Sequence, residues 1–355
     1  MQKKPSSFVT SIVIVSRYIP VWIAIIFLLL VILALAPSTL SRTSFSAVLP
    51  LTTFLAIASL GQMLVIMTGG IDLSVPSVMT LAAFITVGVG SGSDDKLGQA
   101  ILTALAFSCL VGFVNGFLVS ALKLNALIVT LAVGQVLRGA VLEYASGVAN
   151  EADVPDRLSN WATDQFLGIS YFFWVGLVVT VILAILLRFT AVGRRFQAVG
   201  ANPHAAWVAG IRMNLYVLFA YVAASFLYGV SGILLAGFIR SPTLGLGTPY
   251  LLAPIAAVVI GGASLTGGLA NVPSTYAAAF FLTLLNQMLR VMGLSTALQF
   301  VAFGLAIVAG MIISGDRIIS FVENLLQYVI DPLQGGDDAG HPLQDTQGEN
   351  LALRN

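Results

Sequence analysis

The feature that most constrains this chain is the recurrence of long apolar stretches. A helix of roughly 20 apolar residues crosses the hydrocarbon core of a bilayer, which is about 30 Å thick. Ten such stretches occur, at 19–36, 47–68, 75–91, 99–121, 126–145, 169–188, 214–238, 250–267, 273–292 and 297–314. The chain is 58% hydrophobic and only 9% charged, against about 25% charged in ordinary soluble domains. The sequence therefore predicts an all-α integral membrane protein with about ten transmembrane helices, some of them broken or re-entrant.

Several chemical functions are disfavoured by residue usage. The two histidines, His204 and His341, do not build a metal site alone, and the single Cys109 forms no internal disulfide. A net charge of +1 argues against nucleic acid as a partner. None of the four lysines follows a glycine, so the chain lacks the G-x-x-x-x-G-K-[ST] loop that cradles nucleotide phosphates. We expect no catalysis, metal or cofactor in this chain. Any ATP and Mg²⁺ would be bound by a partner.

The positive charges predict the orientation. Lysine and arginine concentrate on the cytoplasmic side of bacterial membrane proteins. With the N-terminus inside, that side holds Lys3, Lys4, Arg17, Lys123, Arg188, Arg194, Arg195, Arg212, Arg317 and Arg354, and the outer side only Arg42, Lys96, Arg157, Arg240 and Arg290. No cleavage site follows the first apolar stretch, which is therefore expected to be retained. We predict a multi-pass protein of the bacterial inner membrane with both termini cytoplasmic.

This orientation divides the chain into three parts. Residues 1–18 form a cytoplasmic tail, and residues 19–315 form the transmembrane domain. Residues 316–355 are expected to hold an amphipathic helix at 317–330 on the inner surface, followed by a polar, disordered tail.

A charged, glycine-punctuated segment, Gly193–Arg212, separates two of the apolar stretches. Asn202 is a good helix N-cap, Pro203 suits a first helical turn, and Gly210 supplies a left-handed stop. The pattern predicts a short helix outside the membrane that contacts a partner. The alternative is a solvated connection, in which Arg194 and Arg195 only reflect the excess of positive charge on the cytoplasmic side. Trp207 fits either a partner's cleft or the lipid headgroup level.

Two apolar stretches are interrupted by glycine and proline. One break, in residues 65–77, holds Gly69, Gly70, Asp72 and Pro76. The other, in residues 259–274, is marked by the glycines Gly261, Gly262, Gly267 and Gly268, followed by Pro273. Discontinuous helices in transporters mark a substrate path or a moving joint; alternatively, these are ordinary turns. A carboxylate away from water needs a donor, so we expect Asp72 to cap a helix that starts near Ser74, rather than to contact substrate.

The two breaks resemble each other. Val75-Pro76-Ser77 is followed by Ala82-Ala83-Phe84, and Val272-Pro273-Ser274 by Ala278-Ala279-Phe280. Each has a glycine pair upstream. This pattern indicates an internal duplication, and transporters with repeats place substrate at the repeat interface.

Three blocks carry a family resemblance: GQMLVIMTGGIDLSVPSVM (61–79), AVGANPHAAWVAGI (198–211) and VVIGGASLTGGLAN (258–271). Together they resemble the permease subunits of sugar-type ABC importers, which serve ribose, xylose, galactofuranose and autoinducer. The resemblance covers roughly residues 45–315. The chain departs from it at Pro76, where a small residue is more usual, and in its extended C-terminal tail.

The resemblance implies a membrane subunit with three kinds of partner. It pairs with a second permease, identical or related, takes a monosaccharide from a periplasmic sugar-binding protein, and is driven by a cytoplasmic ABC ATPase. Gly200, Ala205, Ala206 and Gly210 would fall on the loop that docks into the ATPase.

Polar residues within the spans are the remaining candidates for a substrate path. Those considered are Gln62, Asn115, Gln135, Arg138, Asn286 and Gln287. Amides suit sugar hydroxyls, yet they also hold helices together. A lone arginine near mid-span is costly, so Arg138 is expected to face another helix or the path. Gly112, Gly116 and Ser120 have the spacing of a close helix contact, within the bundle or between protomers.

We therefore predict a permease that moves a monosaccharide or similar small polyol inward by alternating access. The alternative is an ion-coupled secondary transporter, for which only Asp72 and Glu143 offer intramembrane carboxylates. A membrane enzyme has little support, since no histidine lies within a span and no carboxylate pair is evident.

Overall fold

The protein is a bundle of α-helices, in a computed structural model that describes residues 18–148 and 153–313. The helices are α1 (Ile19–Leu35), α2 (Arg42–Met67), α3 (Val75–Gly90), α4 (Leu97–Ser120), α5 (Ala126–Val148), α6 (Asp156–Thr163), α7 (Tyr171–Phe189), α8 (Ala191–Ala201), α9 (Pro203–Val208), α10 (Met213–Ile239), α11 (Ala253–Ile260), α12 (Val272–Val291) and α13 (Thr296–Ile313). Short 3-10 turns lie at Pro37–Leu40, Asp94–Lys96 and Thr248–Tyr250. The tails predicted at the two termini, including the helix at 317–330, lie outside the described residues.

Many of these helices have the length and apolarity of membrane spans. Within the described ranges, five are long and apolar enough to cross a bilayer, at Arg42–Met67, Asp94–Ser120, Ala126–Ser146, Tyr171–Phe189 and Met213–Ile239. Shorter apolar helices lie at Ile19–Leu35, Val75–Gly90, Thr248–Ile260 and Ala297–Gly310. The prediction of an all-α membrane fold agrees with this architecture.

The predicted span at 250–267 is wrong as a continuous helix. Only Ala253–Ile260 is α-helical there, after the 3-10 turn Thr248–Tyr250. Gly262 has φ +85°, a left-handed conformation that stops the helix. The other predicted spans coincide with helices to within a few residues.

Helices α2 and α10 form the centre of the bundle. Every residue from Thr52 to Met67 in α2 is buried. Helix α10 packs against α2, α3 and α4. A Cβ at Gly112 would lie 2.5 Å from the carbonyl oxygen of Tyr221, and one at Gly116 would lie 2.9 Å from that of Leu218. The small residues of α4 therefore serve a contact within the bundle, with α10.

One end of the bundle carries the short helix α6 and a two-stranded hairpin, and is called the hairpin end. Strands β1 (Gln165–Phe166) and β2 (Ile169–Ser170) pair antiparallel. Trp174 donates from its indole nitrogen to the carbonyl oxygen of Phe166, 3.2 Å away. Leu167, at the tip, is 78% exposed. The hairpin immediately precedes α7, and Trp174 in the first turn of α7 packs against Phe166 of the hairpin.

The opposite end, called the α8 end, carries the predicted partner segment. That segment folds as two helices rather than one, because α8 already spans Ala191–Ala201. Arg194, Arg195 and Gly200 are therefore helical instead of lying in a loop. Asn202 then caps α9, its side-chain oxygen accepting from the nitrogen of Ala205 at 3.0 Å. Gly210 has φ +77° and follows the end of α9, as a left-handed stop requires.

Candidate functional site: a cavity and a glycine junction

The two breaks end their preceding helices in the same way. After α2, the nitrogens of Gly69 and Gly70 donate to the carbonyls of Ile66 and Val65. After α11, those of Gly262 and Ala263 donate to Val259 and Val258. Both are Schellman motifs with a left-handed glycine.

The helices that follow the breaks also begin alike. Each has a proline in its first turn, after Ser74 in α3 and after Asn271 in α12. The sequence similarity between the breaks thus extends to their backbone geometry.

The two breaks meet each other and helix α8 at one point. The nitrogen of Gly268 donates to the carbonyl oxygen of Met67 at 2.9 Å. A Cβ at Gly200 would overlap that same oxygen and lie 2.5 Å from the nitrogen of Gly268. A Cβ at Gly267 would lie 2.8 Å from the carbonyl oxygen of Gly200 and 3.2 Å from the nitrogen of Gly69. We call these five residues the glycine junction; three backbone segments touch there without room for side chains.

Asp72 lies at the centre of a buried polar cluster between α2, α4 and α10. Its Oδ1 accepts from the nitrogen of Ser74 at 2.8 Å and from the Ser74 hydroxyl at 2.6 Å. The Ser74 Oγ in turn accepts from Asn115 Nδ2 at 2.9 Å. The carboxylate thus bonds to the residue immediately before α3. We call Gln62, Asp72, Ser74, Asn115, Tyr221 and Tyr228 the Asp72 cluster.

Gln62 of the Asp72 cluster holds the backbone of the break. In the amide orientation that satisfies both groups, Gln62 donates to the carbonyl of Asp72 and accepts from its nitrogen, each at 3.1 Å. The Tyr228 hydroxyl lies 2.9 Å from the same amide. Within the described residues, Asp72 Oδ2, Asn115 Oδ1 and the Tyr221 hydroxyl are buried without a hydrogen-bond partner.

A cavity of about 500 Å³ lies beside the Asp72 cluster. Its walls come from the first break and α3, from α5, and from the loop between α10 and α11. The lining residues are Leu73, Pro76, Ser77, Thr80, Leu131, Gly134, Gln135, Arg138, Gly139, Val141, Leu142, Leu244, Thr248 and Leu251. This volume suits a small solute rather than a macromolecule.

The polar groups of the cavity differ in their availability. The Ser77 hydroxyl is engaged with the carbonyl of Gly134 at 2.8 Å. Thr80 donates to the carbonyl of Pro76 at 2.7 Å and accepts from the nitrogen of Gly247 at 3.1 Å. In the described part of the chain, the side chains of Gln135 and Arg138 form no hydrogen bond or ion pair. They are thus free to bind a solute.

Comparison with known proteins identifies the family. Residues 44–314 match the family described as the branched-chain amino acid transport system / permease component. The chain belongs to this permease family. The permease is 30% identical over 294 residues to the ribose import permease protein RbsC of Haemophilus influenzae, covering 82% of this chain and 91% of that one.

Other relatives of the permease carry similar names. It is 33% identical over 291 residues to the probable ABC transporter permease protein y4mJ of Sinorhizobium fredii, covering 82% of this chain and 86% of that one. It is 32% identical over 303 residues to the autoinducer 2 import system permease protein LsrC of Enterobacter sp., covering 84% and 87%. No solved structure matches the permease significantly. These relatives and the apolar helices indicate a multi-pass inner-membrane transport subunit.

The structure separates the polar residues that the sequence grouped as a path through the permease. Gln135 and Arg138 line the cavity. Gln62 and Asn115 instead belong to the Asp72 cluster, where they bind protein groups. On α12, Gln287 donates to the Ser44 hydroxyl at 3.3 Å, and neither it nor Asn286 lines the cavity. Sequence reasoning missed Ser77, Thr80 and Thr248, because short hydroxyl side chains in apolar sequence carry no distinctive signal.

The glycines of the two breaks contact different parts of the molecule. Gly69, Gly267 and Gly268 join Gly200 at the junction. Gly70 instead faces α10, since a Cβ there would lie 2.5 Å from the Tyr221 hydroxyl. A Cβ at Gly261 would lie 2.9 Å from Cα of Thr275 in α12. On α9, Ala206 is buried, whereas Ala205, Trp207 and Val208 are exposed.

Proposed function

We propose that this permease imports a monosaccharide or similar small polyol by alternating access, driven by a separate cytoplasmic ABC ATPase. The observation that carries the proposal is the combination of the cavity with an exposed apolar helix at the α8 end. Trp207 is 66% exposed and Val208 is 70% exposed on α9, which follows α8 after the single residue Asn202. An apolar surface of this kind at the end of a membrane bundle is typical of a protein contact.

The cavity supports the substrate class. A sugar presents hydroxyls, which bind amide and guanidinium groups and pack on apolar walls. Gln135 and Arg138 supply the polar groups, and Leu73, Leu131 and Leu251 the apolar surface. The names of the relatives, ribose and autoinducer 2 permeases, agree with a small polyhydroxylated substrate.

The remaining partners follow from this assignment. The α8 end would be cytoplasmic, as would both termini, and the hairpin end would receive substrate from a periplasmic binding protein. A second permease, identical or related, would complete the path. The transmembrane domain would extend over residues 19–315, with the stretch at 250–267 contributing the short helix α11.

Co-purification tests ATPase docking. A tagged permease with Trp207→Asp and Val208→Asp is expected to lose association with its ATPase. A control, Leu167→Asp, charges an apolar residue at the hairpin end that is 78% exposed, and this variant should keep the association. Failure of the unaltered permease to bind any ATPase would overturn the proposal.

Energy coupling needs a separate measurement. Proteoliposomes containing permease and ATPase should accumulate labelled sugar only with ATP, and ionophores that collapse ion gradients should leave uptake unchanged. Uptake that follows an ion gradient without ATP would instead establish the secondary transporter.

A further inference from the structure

The segment of residues 67–77 runs from the last residue of α2 through the first break to the first turn of α3, and it connects the α8 end of the molecule to the cavity. At its beginning, the carbonyl of Met67 and the nitrogen of Gly69 belong to the glycine junction, in contact with Gly200 of α8. At its other end, Leu73, Pro76 and Ser77 line the cavity. Residues in contact with α8 and residues of the cavity wall are therefore only a few positions apart.

Hydrogen bonds hold the non-helical part of this segment, residues 68–74, along its length. The nitrogens of Gly69 and Gly70 bond to the end of α2. Gln62 holds both backbone groups of Asp72, and the Asp72 carboxylate holds Ser74. A segment whose backbone groups are bonded in this way is stiff, although it has no regular secondary structure.

The far end of the segment is bonded to the opposite wall of the cavity. The nitrogen of Leu73 donates to the Thr130 hydroxyl of α5 at 2.9 Å. The Ser77 hydroxyl donates to the carbonyl of Gly134 at 2.8 Å. Gln135 follows Gly134 directly. A displacement of Ser77 is therefore expected to move Gln135 through the bond to Gly134.

The other side of the cavity is connected to the junction through α11. Gly267 and Gly268 of the second break, which follows α11, lie at the junction, and the loop before α11 supplies Leu244, Thr248 and Leu251 to the cavity. The two connections meet again beside the cavity, where a Cβ at Gly247 would overlap the carbonyl of Pro76. The loop before α11 thus touches α3 directly beside the cavity.

We propose that residues 67–77 form a rigid connection that transmits movement of α8 to the cavity, and that Asp72 is the positioning residue that keeps it rigid. The proposal rests on the proposed function, since the movement would come from the docked ATPase. The hydrogen bonds of Asp72 hold the turn before α3 in one conformation. A displacement of Met67 therefore moves Ser77 as well, because the turn between them does not change its conformation. Among the described residues, Ser74 is the one polar group near α3 to which the Asp72 carboxylate bonds.

The test uses the assembled permease and ATPase in proteoliposomes. Cys109 is replaced by serine, and Leu131→Cys on the cavity wall reports access to a water-soluble maleimide. In the parent complex, ATP with vanadate is expected to change the labelling rate about tenfold, within the usual range of coupling between sites.

Gly200→Ala, which forces the junction apart, is expected to abolish that change and sugar uptake, while ATPase binding and ATP hydrolysis persist. Gly304→Ala, a helical glycine with no neighbour within 4 Å, should behave as the parent does.

A second pair of variants tests Asp72 without touching the junction. Asp72→Ala removes the anchor of Ser74 and should uncouple hydrolysis from labelling and uptake. Asp72→Asn keeps an acceptor oxygen for Ser74 and should restore most of the coupling. This pair decides the matter if Gly200→Ala does not assemble.

The outcomes separate this proposal from the proposed function. Binding and hydrolysis without ATP-dependent labelling in Gly200→Ala and Asp72→Ala would support the rigid connection. An ATP-dependent labelling change that survives in both variants, or in Asp72→Ala where Gly200→Ala does not assemble, would overturn it while leaving the importer assignment intact. Absence of an ATP response in the parent complex would refute the proposed function, and the rigid connection with it.

Discussion

The backbone nitrogen of Gly268 donates a hydrogen bond to the carbonyl oxygen of Met67, 2.9 Å away, although the two residues belong to opposite halves of the chain. The carbonyl of Met67 lies at the end of α2, where the last carbonyls of a helix have no partner within the helix. Gly268 satisfies it from the second break, and Gly200 of α8 lies against the same bond. The carbonyl group of Met67 is thus the point where the two breaks and α8 meet.

The first prediction concerns this contact. Gly268→Ala should destabilise the permease more than Gly293→Ala. Both residues have positive φ, +83° and +72°, and a side chain in that region costs about 1–2 kcal/mol. At Gly268 alone the Cβ also meets Ala201, at 2.8 Å, whereas nothing lies within 4 Å at Gly293. Thermal unfolding in detergent, followed by tryptophan fluorescence, measures the difference; equal losses would contradict the close contact.

The second prediction concerns the contact between α4 and α10. Gly112→Ala should lower thermal stability, because its Cβ would lie 2.8 Å from Cα of Val222. Overpacking of this kind costs about 1–3 kcal/mol. Gly98→Ala in the same helix has open space around it and should be neutral. Unfolding midpoints of the two purified variants provide the measurement, and a tolerated Gly112→Ala would show that the helices separate easily.

The third prediction concerns the Asp72 cluster. Ser74→Ala removes a hydroxyl that donates to Asp72 and accepts from Asn115. A buried polar group left unsatisfied costs about 1–3 kcal/mol, so the variant should be clearly less stable. Ser146→Ala serves as the control, since that exposed hydroxyl bonds only to the carbonyl of Glu143 one turn earlier. Similar unfolding curves for both variants would argue that water replaces the lost hydroxyl.

The fourth prediction concerns substrate binding in the cavity. Arg138→Ala and Gln135→Ala should each reduce kcat/KM for sugar uptake about tenfold, which corresponds to about 1.4 kcal/mol. Val136→Ala alters the same helix at a residue that is 73% exposed and does not line the cavity, and should have little effect. Initial rates with a panel of labelled pentoses and hexoses give the values and the preferred sugar. Unchanged kinetics in both polar variants would place the substrate elsewhere.

Much of the fold follows from local sequence. Apolar stretches of membrane length predicted the helices, and Asn202 with Pro203 predicted the start of α9, because caps and first turns depend on a few neighbouring residues. The span predicted at 250–267 was too long, because an apolar run does not by itself show where a helix within it ends; only α11, Ala253–Ile260, is α-helical there. Only Gly262, at φ +85°, ends it after Ile260.

The sequence by itself determined that the chain lies in a membrane, where its helices break, and which family it resembles. Those properties depend on composition and on short motifs. Only the tertiary structure decided that Gly200 meets both breaks, that Gln62 and Asn115 hold Asp72, and that Gln135 and Arg138 line a cavity. Amides and glycines have the same sequence signal in either role, and the packing of distant helices decides which groups they face.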